Sequence, residues 1–270
     1  MSRLLRDGVV LAALAVYAGP VFWQLLTSLK PEAELLRLPP LLPTYVTAEH
    51  YRVVLQQSTL PRALGNSAGI AALTTALALL LGLPAAYALA RLPVRGRRAL
   101  LLGIVAGTAL PQIAIVSPLY LLIRFLGLRD TWTALVLAHT SFALPLTIWL
   151  LFGFIREIPR ALEEAAAIDG AGTGAAFRWV IAPLIAPGMA SAGLLAFLFS
   201  WNEFLFAYTL TATEASRTAP VALALFPGVF EIPWADIAAA SMLASVPMVL
   251  LTLALQRYLV QGLVAGAVKD

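Results

Sequence analysis

Long apolar stretches separated by short polar ones dominate the chain, and their length, more than any finer period, decides what they are. Residues 8–29, 64–90, 99–123, 131–155 and 237–255 contain no Asp, Glu, Lys or Arg, and a sixth stretch, 187–210, carries a single acid, Glu203. A bilayer core about 30 Å thick is crossed by roughly 20 residues of helix, so each of the six is long enough to span. Lipid offers the backbone no water, and open spans of this length must satisfy their own N–H and C=O groups as helices. The pattern therefore predicts an all-α integral membrane protein with six transmembrane helices in a single domain, residues 1–270. Arg3 and Arg6 precede the first run as they would a signal peptide. Its 22 residues nevertheless exceed the usual apolar core of about 7–15, and no small-x-small site closes it before Lys30, so it is expected to remain as a span.

The connecting segments differ in character. Residues 30–63 contain five prolines as breakers, with YRVVLQQ as a candidate interfacial helix, and the ALALF of the 211–236 loop is too short to span. Prolines 20, 84, 111, 118, 145 and 247 fall inside spans, where each removes a backbone donor. Between the fourth and fifth runs lies the sizeable loop 156–186, whose EEAAAIDGAGTGAAF is polar and helix-favouring. Pro159 suits the start of a helix that runs through Ala167, Gly170 supplies a stop, and a second helix is expected from about Gly174 to Ile181. Phe177 and Trp179 are expected to anchor this hairpin to the membrane helices. A surface helix lying on anionic lipid usually carries Lys or Arg, whereas residues 161–170 hold three acids, Glu163, Glu164 and Asp169, and no base. That balance points to a basic protein partner.

Composition agrees with the membrane reading: 61% of the 270 residues are hydrophobic and 12% charged. The formal charge of +4 matters through its distribution, since six spans put both termini on one face and eleven of the eighteen basic residues lie on that face. The excess places both termini in the cytoplasm. No cysteine is present, which removes disulfides, thiolate nucleophiles and cysteine metal sites. No nucleophile motif, metal spacing or basic stripe interleaved with aromatics occurs, so enzyme, metal-site and nucleic-acid readings are set aside. A Gly-x4-Gly-Lys-Ser/Thr loop is also missing, so any nucleotide is bound elsewhere.

Glu203 is the acid inside a predicted span, an expensive position unless it faces a cavity or a partner. With Trp201 and Asn202 it makes an aromatic face, an amide and a carboxylate, a set fit to stack on and hydrogen-bond a sugar; equally, Asn202 and Glu203 fit a role in tying helices together. Tyr208 fits the same passage or the interfacial aromatic belt. Asn66, with Ser67, reads as helix-packing glue or as a pathway residue. His139, lacking companions at metal spacing, reads as a packed or pore-side histidine.

EAAAIDG, nine further residues and then VIAP resemble the E-A-A-x3-G-x9-I-x-L-P motif of binding-protein-dependent ABC importer permeases, with Val180 for the Ile and Ala182 for the Leu. SLKP, ALGNS, PLYLLIRFLGLRDTW, SWNEFLFAYTL and the tail QRYLVQGLVAGAVKD are similar to the MalG-type carbohydrate-uptake branch, so the resemblance covers nearly the whole chain. It implies a type I importer permease in a prokaryotic inner membrane, paired with a second homologous permease, a cytoplasmic ATPase dimer holding ATP and Mg, and an extracytoplasmic solute-binding protein. It implies that Glu164, Ala165, Ala166 and Gly170 couple to the ATPase, beside Glu163 and Asp169, and that Gly262 to Lys269 also touch it. The implied cargo is a disaccharide or small oligosaccharide of the trehalose or maltose kind. Glycerol 3-phosphate or a polyol is the alternative within the family, and an ion-coupled secondary transporter using Glu203 the alternative outside it.

Overall fold

The computed structural model describes residues 3–35, 40–226 and 232–267, with the backbone alone for residues 3, 4 and 257–267. Among the described residues four helices are long and apolar enough to cross a membrane unbroken: α1 (Arg3–Ser28) and, further along the chain, Leu60–Arg91, Trp132–Glu157 and Trp234–Ala267. After α1 come two short helices, α2 (Glu32–Leu35) and α3 (Glu49–Gln57). The latter forms at YRVVLQQ, the stretch expected to be a short helix, and it buries His50 and Val54. Helix α4 is Leu60–Arg91, with Pro61 in its first turn, where a missing N–H costs nothing.

The third apolar run is not one straight helix. It divides into α5 (Arg97–Thr108) and α6 (Gln112–Phe125), whose axes bend by 93°. Pro111 causes the break, since it cannot donate and drives the residue before it away from helical geometry. Thr131 then caps α7 (Trp132–Glu157), its hydroxyl accepting from the Ala134 amide at 3.2 Å.

The loop after α7 folds as the expected helical hairpin: α8 (Ala161–Ile168), then α9 (Thr173–Ala176), a π-helical turn at Phe177–Ile181 and α10 (Ala182–Leu184). Pro159 sits just outside α8, with its carbonyl accepting from Leu162. A 73° bend leads into α11 (Ala186–Asn202). The run expected to continue to 210 breaks at Glu203, whose backbone is extended, and resumes as α12 (Leu205–Leu210). Helix α13 (Ala219–Ala224) contains part of the ALALF segment, and α14 (Trp234–Ala267) closes the described chain.

Helices α4, α7 and α11 form the centre. Toward the hairpin they bury Leu83, Ala86, Leu151, Ile155, Ile181 and Ile185; toward the opposite end Ile70, Leu135, Phe206 and Leu210 are buried. Between the two cores Ala78, Ala143 and Ala196 meet. Lipid provides no hydrophobic drive between helices, so association depends on close packing, which small side chains permit. Gly188 shows the tolerance: a Cβ there would lie 2.6 Å from the Phe154 ring. Helix α1 packs on α14 and otherwise turns its apolar side chains outward, as a lipid-facing span does.

Candidate functional site

The hairpin's turn is built by backbone geometry. Gly170 has φ +85°, in the left-handed region that glycine enters without a side-chain penalty. Around it the Ala171 amide donates to the Ala166 carbonyl at 2.8 Å and the Gly170 amide to Ala167 at 3.1 Å, the paired bonds of a Schellman stop. The carbonyls of Ala166 and Ala167 are thereby satisfied, and the turn has a defined hydrogen-bonded geometry.

One side of α8 is fastened to the membrane helices. Arg91 Nε lies 2.6 Å from Glu163 Oε1, an ion contact without the angle of an aligned hydrogen bond, and the Tyr87 hydroxyl donates to Glu163 Oε2 at 3.0 Å. The same guanidinium donates through Nη2 to the carbonyls of Ile155 (2.8 Å) and Ile158 (2.5 Å). A cation there satisfies the orphan carbonyls at the end of α7 and complements its dipole. Three elements, the ends of α4 and α7 and the start of α8, thus converge on Arg91, whose side chain is 7% exposed. Phe177 completes the attachment, its ring centroid 4.9 Å from that of Tyr87.

The opposite side of α8 is open. Glu164, Ala165, Asp169 and Gly170 are exposed and Ala166 is half-buried. Ile168 is 87% exposed, a large apolar side chain projecting from a polar turn. The six residues expected from sequence to couple therefore divide: Glu163 ties the hairpin to the membrane helices, while the others form or adjoin a free face. Trp179 does not anchor the hairpin as expected. The π-helical turn changes the register, Phe177 and Ile181 face the core, and Trp179 is left 72% exposed. Arg91 and Tyr87 were missed by the sequence reading, because an arginine at a span end looks like topology and a tyrosine within a span looks like core. The tail from Gly262 to Lys269 continues α14 as far as Ala267, but its side chains and Lys269 lie outside the described residues.

The pathway candidates are also sorted by the structure. Glu203 has a side chain 2% exposed; its carboxylate accepts from the amides of Phe206 (2.9 Å) and Ala207 (3.0 Å), capping α12, and lies 3.2 Å from His139 Nε2. His139 Nδ1 in turn shares a hydrogen bond with Ser200 Oγ at 2.7 Å. The break at Glu203 is thus stabilised by the residue that makes it, since a carboxylate suits the amides and positive dipole end of a helix start. Trp201 is buried with its ring stacked on Phe197. Asn202 is exposed, its side-chain amide donating to the Leu198 carbonyl. Tyr208 is exposed and stacked on Phe204. Asn66 is buried and donates to the carbonyls of Glu214 and Arg217, while Ser67 accepts from Ala219, so this pair holds the 211–218 loop to α4.

That loop has a second clasp. Asp130, at φ +62°, accepts from the amides of Ala212 and Thr213 and the hydroxyls of Thr213 and Ser216 at 2.5–3.1 Å. Burial raises its pKa, but these four donors outweigh that and hold the carboxyl well below the ordinary 3.8. Among the described residues no group of three or more His, Asp or Glu is placed to hold a metal ion.

Comparison with known proteins accords with this arrangement. The family described as the inner membrane component of binding-protein-dependent transport systems matches residues 78–265. The trehalose transport system permease protein SugB of Mycobacterium tuberculosis is 46% identical over 252 residues, covering 93% of this chain and 92% of that protein. The sulfoquinovosyl glycerol transport system permease protein SmoH of Agrobacterium fabrum is 41% identical, covering 93% and 88%. Among solved structures, a bacterial ABC transporter involved in the import of the acidic polysaccharide alginate superposes with a TM-score of 0.81 at 23% identity, over 96% of this chain and 98% of that one.

Proposed function

Because the chain belongs to the family of binding-protein-dependent transport system inner membrane components, we propose that it forms half of a sugar translocation pathway moved by a separate ATPase through the 161–170 hairpin. The observation that carries this reading is the division of α8: one side is locked to α4 and α7 through Arg91, while the other offers Glu164, Ala165, Ile168 and Asp169. A lever needs such a rigid attachment and such a free contact face. Nucleotide binding shifts a two-state gate only if it stabilises one state more than the other, and the hairpin passes that difference to the ends of two spans.

The remaining subunits in this reading are a second, homologous permease making a heterodimer, an ATPase dimer that holds ATP and Mg, and an extracytoplasmic solute-binding protein. Both termini and the hairpin face the cytoplasm, and the clasped 211–218 loop faces outward. Asn202 and Tyr208 contribute to the pathway wall; Glu203, Trp201 and Asn66 support it from behind. The cargo is a disaccharide or small oligosaccharide, supported by the sugars named for both relatives. The ion-coupled alternative loses its basis, since Glu203 is occupied by helix capping.

Proteoliposomes containing all four components test the proposal. Uptake requires internal ATP and the receptor, and a proton or sodium gradient alone drives none. Glu164→Lys, which reverses charge on the free face, lowers uptake at least about tenfold, a loss of 1.4 kcal/mol or more of coupling, while the complex still assembles. Unaltered ATP-driven uptake in that variant contradicts the proposal.

A further inference from the structure

A second charged feature lies beside the hairpin and takes no part in it. The chain between α4 and α5 reverses at Gly96, φ +73°, and next to it opens a cleft of about 800 Å³ lined by Arg97, Arg98, Leu101, Phe152 and Arg156. Arg97 comes from the first turn of α5 and Arg156 from the last turn of α7. Their guanidinium carbons sit 5.2 and 5.7 Å from the centroid of one ring, that of Phe152. Cation–π attraction holds each charge to the ring, but it does nothing for the repulsion between them. Among the described residues no carboxylate forms an ion pair with Arg97, Arg98 or Arg156, in contrast to Arg91, which has Glu163. No side chain caps the start of α5, so its positive dipole end adds to the field at the same cleft.

We infer that this cleft binds the phosphate headgroup of an anionic phospholipid. Guanidinium forks match phosphate oxygens in geometry, and the cleft stands at the ends of two membrane helices, at the level where headgroups lie. Leu100, Leu102 and Val105, further along α5, the helix that lines the cleft, are exposed and apolar, surface that acyl chains would cover. A lipid therefore satisfies both parts of the surface, whereas a free anion satisfies only the arginines. The site bridges α5 and α7, the helix on whose end the lever is anchored, so its occupancy bears on how firmly α5 is held there. The inference requires membrane embedding and is independent of which partner moves the hairpin.

Native mass spectrometry of the full chain in neutral detergent tests it, with phosphatidylglycerol and phosphatidylcholine of equal acyl length as probes. Wild type should retain phosphatidylglycerol at least about tenfold better than phosphatidylcholine, since about 1 kcal/mol from each of two or three guanidiniums exceeds that factor. The double variant Arg97→Gln/Arg156→Gln should lose that preference. The charge-preserving Arg97→Lys/Arg156→Lys should keep only part of it, since an ammonium supplies the charge without the fork, and Arg62→Gln, at the far end of α4, should change nothing. Equal retention of the two lipids by wild type, or undiminished preference in the Gln variant, overturns the inference. Displacement of phosphatidylglycerol by inorganic phosphate at millimolar concentration overturns the lipid assignment in favour of a free anion. Preference kept in the Gln variant together with lost ATPase association assigns the arginines to that subunit instead.

Discussion

Arg91 is the residue on which the hairpin's attachment depends, since it neutralises Glu163 and satisfies two terminal carbonyls of α7. Removing one member of a largely buried pair leaves the other uncompensated, at about 3–5 kcal/mol when burial is complete and less here, where Glu163 remains 18% exposed. Arg91→Gln should therefore lower the melting temperature and reduce ATP-driven uptake together, whereas Glu164→Lys should affect uptake alone; thermal unfolding beside transport assays separates them. At the clasped 211–218 loop Asp130 gives a pH dependence with a definite sign. Its carboxyl titrates below 3.8 when folded, so its contribution is complete above that value and fades as pH falls further. Unfolding followed from pH 8 downward should show Asp130→Asn destabilised by a constant amount until about pH 4, the ordinary aspartate range, with the difference shrinking below it. A difference that grew on acidification would contradict the clasp. Asp130 was not singled out from sequence, because its importance lies in a loop more than 80 positions away that only the fold brings near.

At the scale of elements, the hairpin was the most legible part of the chain. Pro159, the alanine-rich turns and Gly170 each act locally, and local signals are what a sequence displays. The left-handed Gly170 makes a further prediction: Gly170→Val places a β-branched side chain where L residues are strained by about 1–2 kcal/mol. The turn should shift and ATPase association weaken, measured by co-purification, with the membrane core left intact. The bends were less legible. Pro111 and Glu203 were visible as oddities within spans, but an apolar run reads the same whether it is straight or folded by 93°. Glu203 was misleading in a physical sense, since its rarity in lipid marks it as unusual without saying whether a ligand or a helix start satisfies it. The π-helical turn at Phe177–Ile181 had no sequence signal, and it decided which aromatic anchors the hairpin.

Across the whole molecule, two packed layers meet at small residues, and the charged features gather at the ends of the spans: the clasped loop at one end, Arg91 and the arginine cleft at the other. Hairpin and spans are tied together by one guanidinium, which under the proposed function makes them move as one unit. The chain has no cysteine, so Ile168→Cys creates a single reactive position on the free side of the hairpin. Cross-linking from that position in the assembled importer tests the central claim most directly. The account predicts a covalent product with the ATPase subunit whose yield changes when ATP binds. A product with the solute-binding protein, or none with the ATPase in either nucleotide state, would contradict it.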